Sequence, residues 1–363
     1  MMMKNTINED RVFYLDLLRT AAILGVIAIH VTGYFVTNYQ TYEGITWWVA
    51  NVINSSSRFS IPMFLMLSGA LLLNGKVAEN PLALVKRRVL KLGIPFMIWS
   101  LIYFVYKHQV VGDTELSIVS FVENLIVEFA TNGIYSHLWF MYVILAVYLV
   151  SPFIHRAVYG ASEKEIRYLL VIWFVVSILL FSIQQVYAHF NDGFRYPLVI
   201  IDIPLAARYA GYFILGFYLY RFDIKQAWRD LAIALGAASL LTTPIVTYAL
   251  TIDAGRLVES FYSPFAVTNC LAAVAIFLLC KQRSWESLPD KLRTLITAMS
   301  AATFGIYFIH MMIQDFVMRY VDLGQSITMI SFMLVNTFLI LVLSFVMVKV
   351  FNLHQKTARY LGA

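Results

Sequence analysis

Charged residues are scarce in this sequence. Only 13% of its 363 residues are Asp, Glu, Lys or Arg, whereas a soluble domain contains roughly 25%. The shortage extends over the whole chain, and 60% of the residues are hydrophobic. This composition excludes an ordinary soluble fold and predicts an integral membrane protein.

Cysteines and the common cofactor motifs are scarce as well. Cys270 and Cys280 lie in one apolar segment, so they cannot join distant loops by a disulfide. The sequence has no GxGxxG or P-loop pattern, which argues against nucleotide hydrolysis. Its seven histidines are scattered and form no HExxH motif, so no metal site is expected. No basic stretch with interleaved aromatic residues indicates a nucleic-acid partner.

Hydrophobic runs long enough to cross a bilayer recur along the chain. They predict an all-α integral membrane protein with about ten transmembrane helices, forming a single polytopic domain over residues 1–363 without a soluble domain. A shorter run at 118–130 carries two glutamates and predicts an interfacial or re-entrant helix. The ten predicted spans are at about 13–36, 47–74, 90–108, 137–154, 168–188, 204–221, 231–250, 262–280, 298–318 and 327–350.

Lysine and arginine are concentrated in alternate connections between these runs. If the N-terminus is cytoplasmic, most of the 27 basic residues lie on the cytoplasmic side. This bias predicts that both termini are cytoplasmic. It also explains the net charge of +6 mainly as a signal of topology rather than of a ligand.

The first run, LDLLRTAAILGVIAIHV, contains Arg19 and His30. Eleven residues of helix give three turns plus about 20°, so the two side chains share one face about 16 Å apart along the axis. Asp16 precedes Arg19 by one turn and can pair with it. An ionisable group within a span is a functional candidate. The alternatives are that Arg19 extends to the lipid headgroups and that His30 is a neutral core residue.

Arg19, ten intervening residues and His30 are followed by further motifs in a fixed order. These motifs are SSSRFSIPMFLMLSGALLL, VKRRVLKLGIPFMIWS, HLWFMYVILAVYLVSP and SAATFGIYFIH. The ordered set, over residues 13–320, resembles acyltransferase family 3, whose members have about ten spans and transfer acyl groups to extracytoplasmic glycans or small acceptors. The second motif is most similar to the single-domain branch that includes the enterobacterial common antigen O-acetyltransferase.

This resemblance implies a cytoplasmic acyl-CoA donor, usually acetyl-CoA. Its phosphates require cations at the inner face, and arginine can bind phosphate bidentately. Arg19 is implied as a contact of the phosphate or pantetheine, and a basic cluster before the third span is a second candidate. The alternative for that cluster is ordinary positive-inside charge. The expected donor-binding residues are Arg19, Lys86, Arg87, Arg88 and Lys91.

Transfer of an acyl group to a hydroxyl requires a base, and histidine titrates near neutrality. We therefore expect His30 to deprotonate the acceptor or to carry the acyl group transiently. Arg58 is expected to stabilise the oxyanion or to bind the acceptor, with a buried ion pair as the alternative.

Five further residues are candidates for substrate binding. These residues are His137, Trp139, Tyr142, Tyr307 and His310. An interfacial aromatic belt also explains His137 and Trp139, and a hydrogen bond to a neighbouring helix also explains His310. Asp16, Ser68 and Gly69 are expected to be structural, with the latter two allowing close helix approach.

The expected function is that of an O-acetyltransferase of the bacterial inner membrane, which modifies a cell-surface glycan or its lipid-linked precursor. Its expected partners are acyl-CoA, the sugar acceptor and the lipid bilayer. Self-association into a homo-oligomer stays open, as does the choice between acetyl, succinyl and longer groups. The alternatives are a polytopic carrier of a small, amino-acid-like solute and a non-catalytic subunit of a polysaccharide export complex.

Overall fold

The computed structural model describes residues 12–42, 44–73, 81–112, 117–131, 133–191, 205–320 and 328–362. All regular structure in these ranges is helical. Eight of the described helices are long and apolar enough to cross a membrane. The prediction of an all-α membrane protein is therefore confirmed. The count of ten spans and the cytoplasmic placement of both termini stay predictions.

The described part of the chain contains fourteen α-helices. The first seven are α1 (Phe13–Thr37), α2 (Ile45–Ser57), α3 (Ser60–Leu72), α4 (Pro81–Val105), α5 (Ile118–Ala130), α6 (Trp139–Tyr159) and α7 (Glu163–Trp173). The other seven are α8 (Leu180–Phe190), α9 (Leu205–Arg221), α10 (Gln226–Ala254), α11 (Val267–Gln282), α12 (Asp290–Tyr320), α13 (Met329–Phe351) and α14 (Gln355–Leu361). A π-helical turn, Phe174–Leu179, joins α7 to α8 into one long span.

The predicted span at 47–74 is not one continuous helix. It divides at Arg58 into α2 and α3, each of 13 residues. The cause is local, because side-chain hydroxyls compete for backbone carbonyls around the break. Ser57 donates to the Ile53 carbonyl and Ser60 donates to the Ser57 carbonyl. Hydropathy alone does not detect such a break, and residue 74 lies outside the described residues.

The predicted span at 204–221 corresponds to α9, which has 17 residues. It therefore lies at the lower end of the range for crossing a bilayer, about 17–25 residues. Residue 204 lies outside the described part of the chain. The short α5 is a helix, as the sequence predicted, and none of its residues is buried.

Helix α1 lies at the centre of the bundle. It contacts α2, α3, α11, α12 and α13. More than half of the most apolar stretch is buried in α1 (56%), in α12 (61%) and in the segment Ser260–Gln282 that contains α11 (56%). In the other five candidate spans the buried share is 28–33%. A helix surrounded by other helices is where ionisable side chains can be kept away from lipid. Accordingly, Asp16 and Thr32 of α1 are buried, and Arg19 and His30 are half-buried.

Small residues bring α3 and α9 into backbone contact. A Cβ atom on Gly69 would overlap the carbonyl oxygen of Phe213, and one on Gly216 would overlap that of Met66. In a membrane the hydrophobic effect does not drive helices together, so their association depends on van der Waals packing, which such close approach allows. This packing holds α3, and with it the break at Arg58, at a fixed depth in the bundle.

Candidate functional site

Three histidines from separate parts of the chain converge beside α1. His30 is on α1, His137 precedes α6 and His310 is on α12. The ring centroids are 5.1 Å apart for His137 and His310, 5.3 Å for His30 and His310, and 6.4 Å for His30 and His137. We call these three residues the histidine cluster. His137 and His310 are buried, while His30 is half-buried.

The ring of His310 has a fixed orientation. Its Nδ1 atom lies 2.6 Å from the carbonyl oxygen of Tyr307 and 3.2 Å from that of Ile306. A carbonyl oxygen can only accept a hydrogen bond, so Nδ1 carries the hydrogen and donates it. In the neutral ring the other nitrogen, Nε2, is then a proton acceptor. The backbone of α12 thus sets the tautomer of this histidine.

Several polar atoms around the cluster have no hydrogen-bond partner within the described structure. They are both ring nitrogens of His137, Nε2 of His310 and Oε1 of Gln314. The amide of Gln314 itself donates to the His30 carbonyl. Leaving a buried polar group unpaired costs about 1–3 kcal/mol. Four such atoms at one place indicate a site that receives water or a polar ligand.

Arg58 adds a positive charge to this site. Its Nε atom donates to Asn54 Oδ1 at 2.8 Å, and its guanidinium lies 4.2 Å from the ring centroid of Tyr262. Asn54 in turn donates to the Ile29 carbonyl and to Thr32, both on α1. These contacts hold the guanidinium beside α1, where its charge acts on the ring of His30.

A second polar group lies further toward the start of α1. Ser300 of α12 donates to Asp16 Oδ1 at 2.6 Å and accepts from Arg19 Nη1 at 3.1 Å. Arg19 is also 3.7 Å from Asp16 Oδ1. The Arg19 side chain is 27% exposed, whereas that of Asp16 is 5% exposed. Because Arg19 and His30 both meet α12, they share one face of α1.

Among the four basic candidates of α4, the helix turns only Arg88 inward. Arg88 is half-buried, whereas the other three are exposed: Lys86, Arg87 and Lys91.

The charges of Arg88 and Arg19 both act on Tyr148, whose hydroxyl donates to Ser68 at 3.3 Å. Arg19 and Arg88 are therefore both near Tyr148. Ser68 and Gly69 lie on α3, the helix that follows Arg58.

The aromatic candidates have different surroundings. Tyr307 packs against His137 and donates to its carbonyl oxygen, so it supports the histidine cluster directly. Trp139 is half-buried against Tyr209. Tyr142 faces α5, and its hydroxyl donates to the carbonyl of Phe129 at 2.6 Å. The structure therefore does not bring Tyr142 to the cluster.

Four further site residues are not among those that the sequence predicted. Tyr148, Tyr262 and Gln314 sit in ordinary apolar stretches, and their roles arise only from packing between distant helices. Asn54 belongs to the polar stretch before Arg58. That stretch is unusual for a span, and its four-residue spacing to Arg58 could have indicated their contact.

Along α1 and α12 the structure thus has two polar levels, about 16 Å apart. One level has two arginines, which suit a polyanionic ligand. The other has histidine nitrogens and an arginine, which suit proton transfer and stabilisation of a developing negative charge.

The chain is similar to known proteins over most of its length. The sequence profile of the family described as "Acyltransferase domain" matches residues 12–349. Two relatives from Staphylococcus aureus, of strains MRSA252 and MSSA476, are named "Probable poly-beta-1,6-N-acetyl-D-glucosamine export protein". They are 24% and 23% identical over 319 residues, which is 87% of this chain and 87% of each relative. No solved structure matches the chain. These matches do not distinguish the enterobacterial common antigen branch within the family.

Proposed function

The chain belongs to acyltransferase family 3, and on this premise we propose that it is a membrane O-acetyltransferase. It takes an acetyl group from cytoplasmic acetyl-CoA and transfers it to a hydroxyl of a cell-envelope glycan or its lipid-linked precursor, in the bacterial inner membrane. The observation that carries the proposal is the pair of polar levels on α1: arginines at one, and histidines with Arg58 at the other.

The donor is proposed to bind at the level of Arg19. Its phosphates require cations, and Arg19 and Arg88 converge near Tyr148. Asp16 and Ser300 hold the guanidinium of Arg19 in place, so little side-chain entropy is lost on binding. The pantetheine arm then extends along α1 toward His30. The exposed Lys86, Arg87 and Lys91 contribute long-range attraction rather than direct contacts.

The reaction is proposed to take place at the histidine cluster. The acceptor hydroxyl oxygen attacks the thioester carbonyl carbon while His30 takes the hydroxyl proton. Arg58 stabilises the negative charge that develops on the carbonyl oxygen. The carbon–sulfur bond then breaks, the ester is released, and the sulfur of coenzyme A leaves as a thiolate that recovers the proton. Trp139, two residues after His137 in the sequence and packed against Tyr209, is proposed to provide an apolar surface for a sugar ring.

The first acceptor to test follows from the relatives. Their names refer to poly-beta-1,6-N-acetyl-D-glucosamine. A β-1,6-linked N-acetylglucosamine oligosaccharide carries free ring hydroxyls and no net charge, so it can approach a site of buried neutral histidines without a charge penalty. We therefore propose this class of amino-sugar polymer as the acceptor.

The test is a transfer assay with the purified full-length protein in lipid nanodiscs. Radiolabelled acetyl-CoA and the oligosaccharide are supplied together, and both free thiol and labelled sugar are measured. We expect equal amounts of both products from the wild type and none from His30→Ala. If folded wild type neither releases thiol nor labels sugar above the level without protein, the acyltransferase proposal fails.

A second candidate function is export of the polymer without chemistry. The names of the relatives favour it, and so does the helix break between α2 and α3, since interrupted helices are common at the sites of carriers. Proteoliposomes loaded with the labelled oligosaccharide separate the two. Release that does not need acetyl-CoA and continues in His30→Ala would favour export.

A further inference from the structure

We propose that His310 is a second catalytic residue, whose Nε2 atom receives from His30 the proton that leaves the acceptor hydroxyl. This inference rests on the proposed acyl transfer and assigns the step that follows deprotonation. It gives the buried histidine of α12 a chemical role instead of a role in binding the substrate.

The geometry prepares His310 for this role. Its Nδ1–H donates to the carbonyls of Tyr307 and Ile306, which leaves Nε2 as a proton acceptor. This Nε2 is buried and has no partner among the described residues. The ring centroid lies 5.3 Å from that of His30, yet the two rings share no hydrogen bond. A single water or the acceptor hydroxyl placed between them would connect the two rings.

The surrounding charges favour the movement of the proton toward His310. A protonated His30 would face the guanidinium of Arg58, whose charge acts on its ring. Two like charges in a region of low dielectric repel strongly. A protonated His310 would instead keep its Nδ1–H against two carbonyl oxygens, which stabilise a positive charge. Transfer of the proton from His30 to His310 is therefore energetically favoured.

The other groups that face His310 fit the same scheme. His137 lies 5.1 Å away and presents two nitrogens that have no partner among the described residues. The ring of Tyr307 packs beside both, 5.4 Å from His137 and 6.0 Å from His310. From α4, the Tyr103 ring packs on His137 and donates its hydroxyl to the Phe308 carbonyl. None of these groups carries a formal charge when His137 is neutral. When the carbon–sulfur bond breaks, the stored proton returns to the thiolate, so the cycle neither gains nor loses a proton.

The test compares two substitutions of His310 in the transfer assay. In His310→Asn the side-chain amide nitrogen takes the place of Nδ1 and keeps the bond to the backbone, but Nε2 is lost. In His310→Ala both are lost, and the space admits added imidazole. His155→Gln, which changes a buried histidine of α6, is the matched control. Binding of acetyl-CoA by each variant is measured on the same samples.

We expect His310→Asn to bind acetyl-CoA as the wild type does and to lose about 10²-fold in kcat. His310→Ala should recover rate with added imidazoles, more with the more basic ones. His155→Gln should keep the wild-type kcat. If His310→Asn has wild-type kcat and imidazole restores nothing in His310→Ala, the histidine is only structural and the inference is overturned. An inactive wild type would instead overturn the proposed function itself.

Discussion

At the Arg19 end of the contact between α1 and α12, charged groups are held by one another. At the His30 end, several buried ring nitrogens have no partner among the described residues. Ser300 bridges Asp16 and Arg19 at the first end. At the second, three buried ring nitrogens of His137 and His310 have no partner within the described part of the chain. Both ends use α1 and α12, and the second end adds His137 from the segment before α6.

The comparison shows how one helix pair can support two tasks. A partnered and partly exposed arginine is positioned to hold a large charged ligand at modest cost. Unpaired buried nitrogens are costly in the resting protein, and such a cost is typical of sites where a ligand or a proton completes the arrangement. The predictions below test this division, from the largest effect to the smallest.

Arg58→Lys should cause the largest loss at the His30 end. Lysine keeps the charge but cannot donate through Nε to Asn54 or lie flat on the ring of Tyr262. We expect kcat to fall about 10²–10³-fold with little change in acetyl-CoA binding. Arg229→Lys, at a site outside both polar levels, is the control. Unchanged kcat in Arg58→Lys would mean that charge alone is needed there.

Arg88→Ala should weaken acetyl-CoA binding, because this arginine is turned inward near Tyr148. Loss of a charge-assisted contact to phosphate corresponds to about tenfold or more in Kd. Arg87→Ala, its exposed neighbour, should change Kd by less than about fivefold. Isothermal titration with acetyl-CoA measures both. Equal losses in the two variants would show that the basic cluster acts only as a diffuse positive surface.

Gly69→Ala should destabilise the protein without a specific effect at either end. The added Cβ would overlap the Phe213 carbonyl, so α3 and α9 must separate. We expect a loss of about 1–3 kcal/mol in the free energy of unfolding, seen as a lower midpoint in thermal unfolding followed by tryptophan fluorescence. Gly93→Ala is the matched control, because no atom lies within 4 Å of its added Cβ. An unchanged midpoint in Gly69→Ala would contradict the described α3–α9 packing.

The sequence predicts the parts of this picture that depend on helix geometry. The spacing of Arg19 and His30 places both on one face, and both do meet α12. The hydrophobic runs predict the all-α membrane fold, since a backbone in lipid must satisfy its own hydrogen bonds. The short run at 118–130 is the helix α5.

The rest depends on tertiary packing, which spacing along one chain does not determine. His137 and His310 are 173 positions apart in the sequence, and only tertiary packing brings their rings together. Arg87 and Arg88 are the same type of residue, so the sequence alone does not show which of them faces the protein. In the structure, α4 exposes Arg87 and leaves Arg88 half-buried. The break at Arg58 depends on local serine contacts that a hydropathy average does not register.

The most direct test of the two-level account compares Arg19→Ala with His30→Ala, measuring the Kd for acetyl-CoA and the turnover of the bound donor on the same folded samples. We expect Arg19→Ala to raise the Kd about tenfold or more while bound donor still turns over. His30→Ala should keep the Kd and lower turnover by about 10²-fold or more. If both substitutions weaken binding equally, or if His30→Ala turns over acetyl-CoA at the wild-type rate, the division between the two levels is wrong.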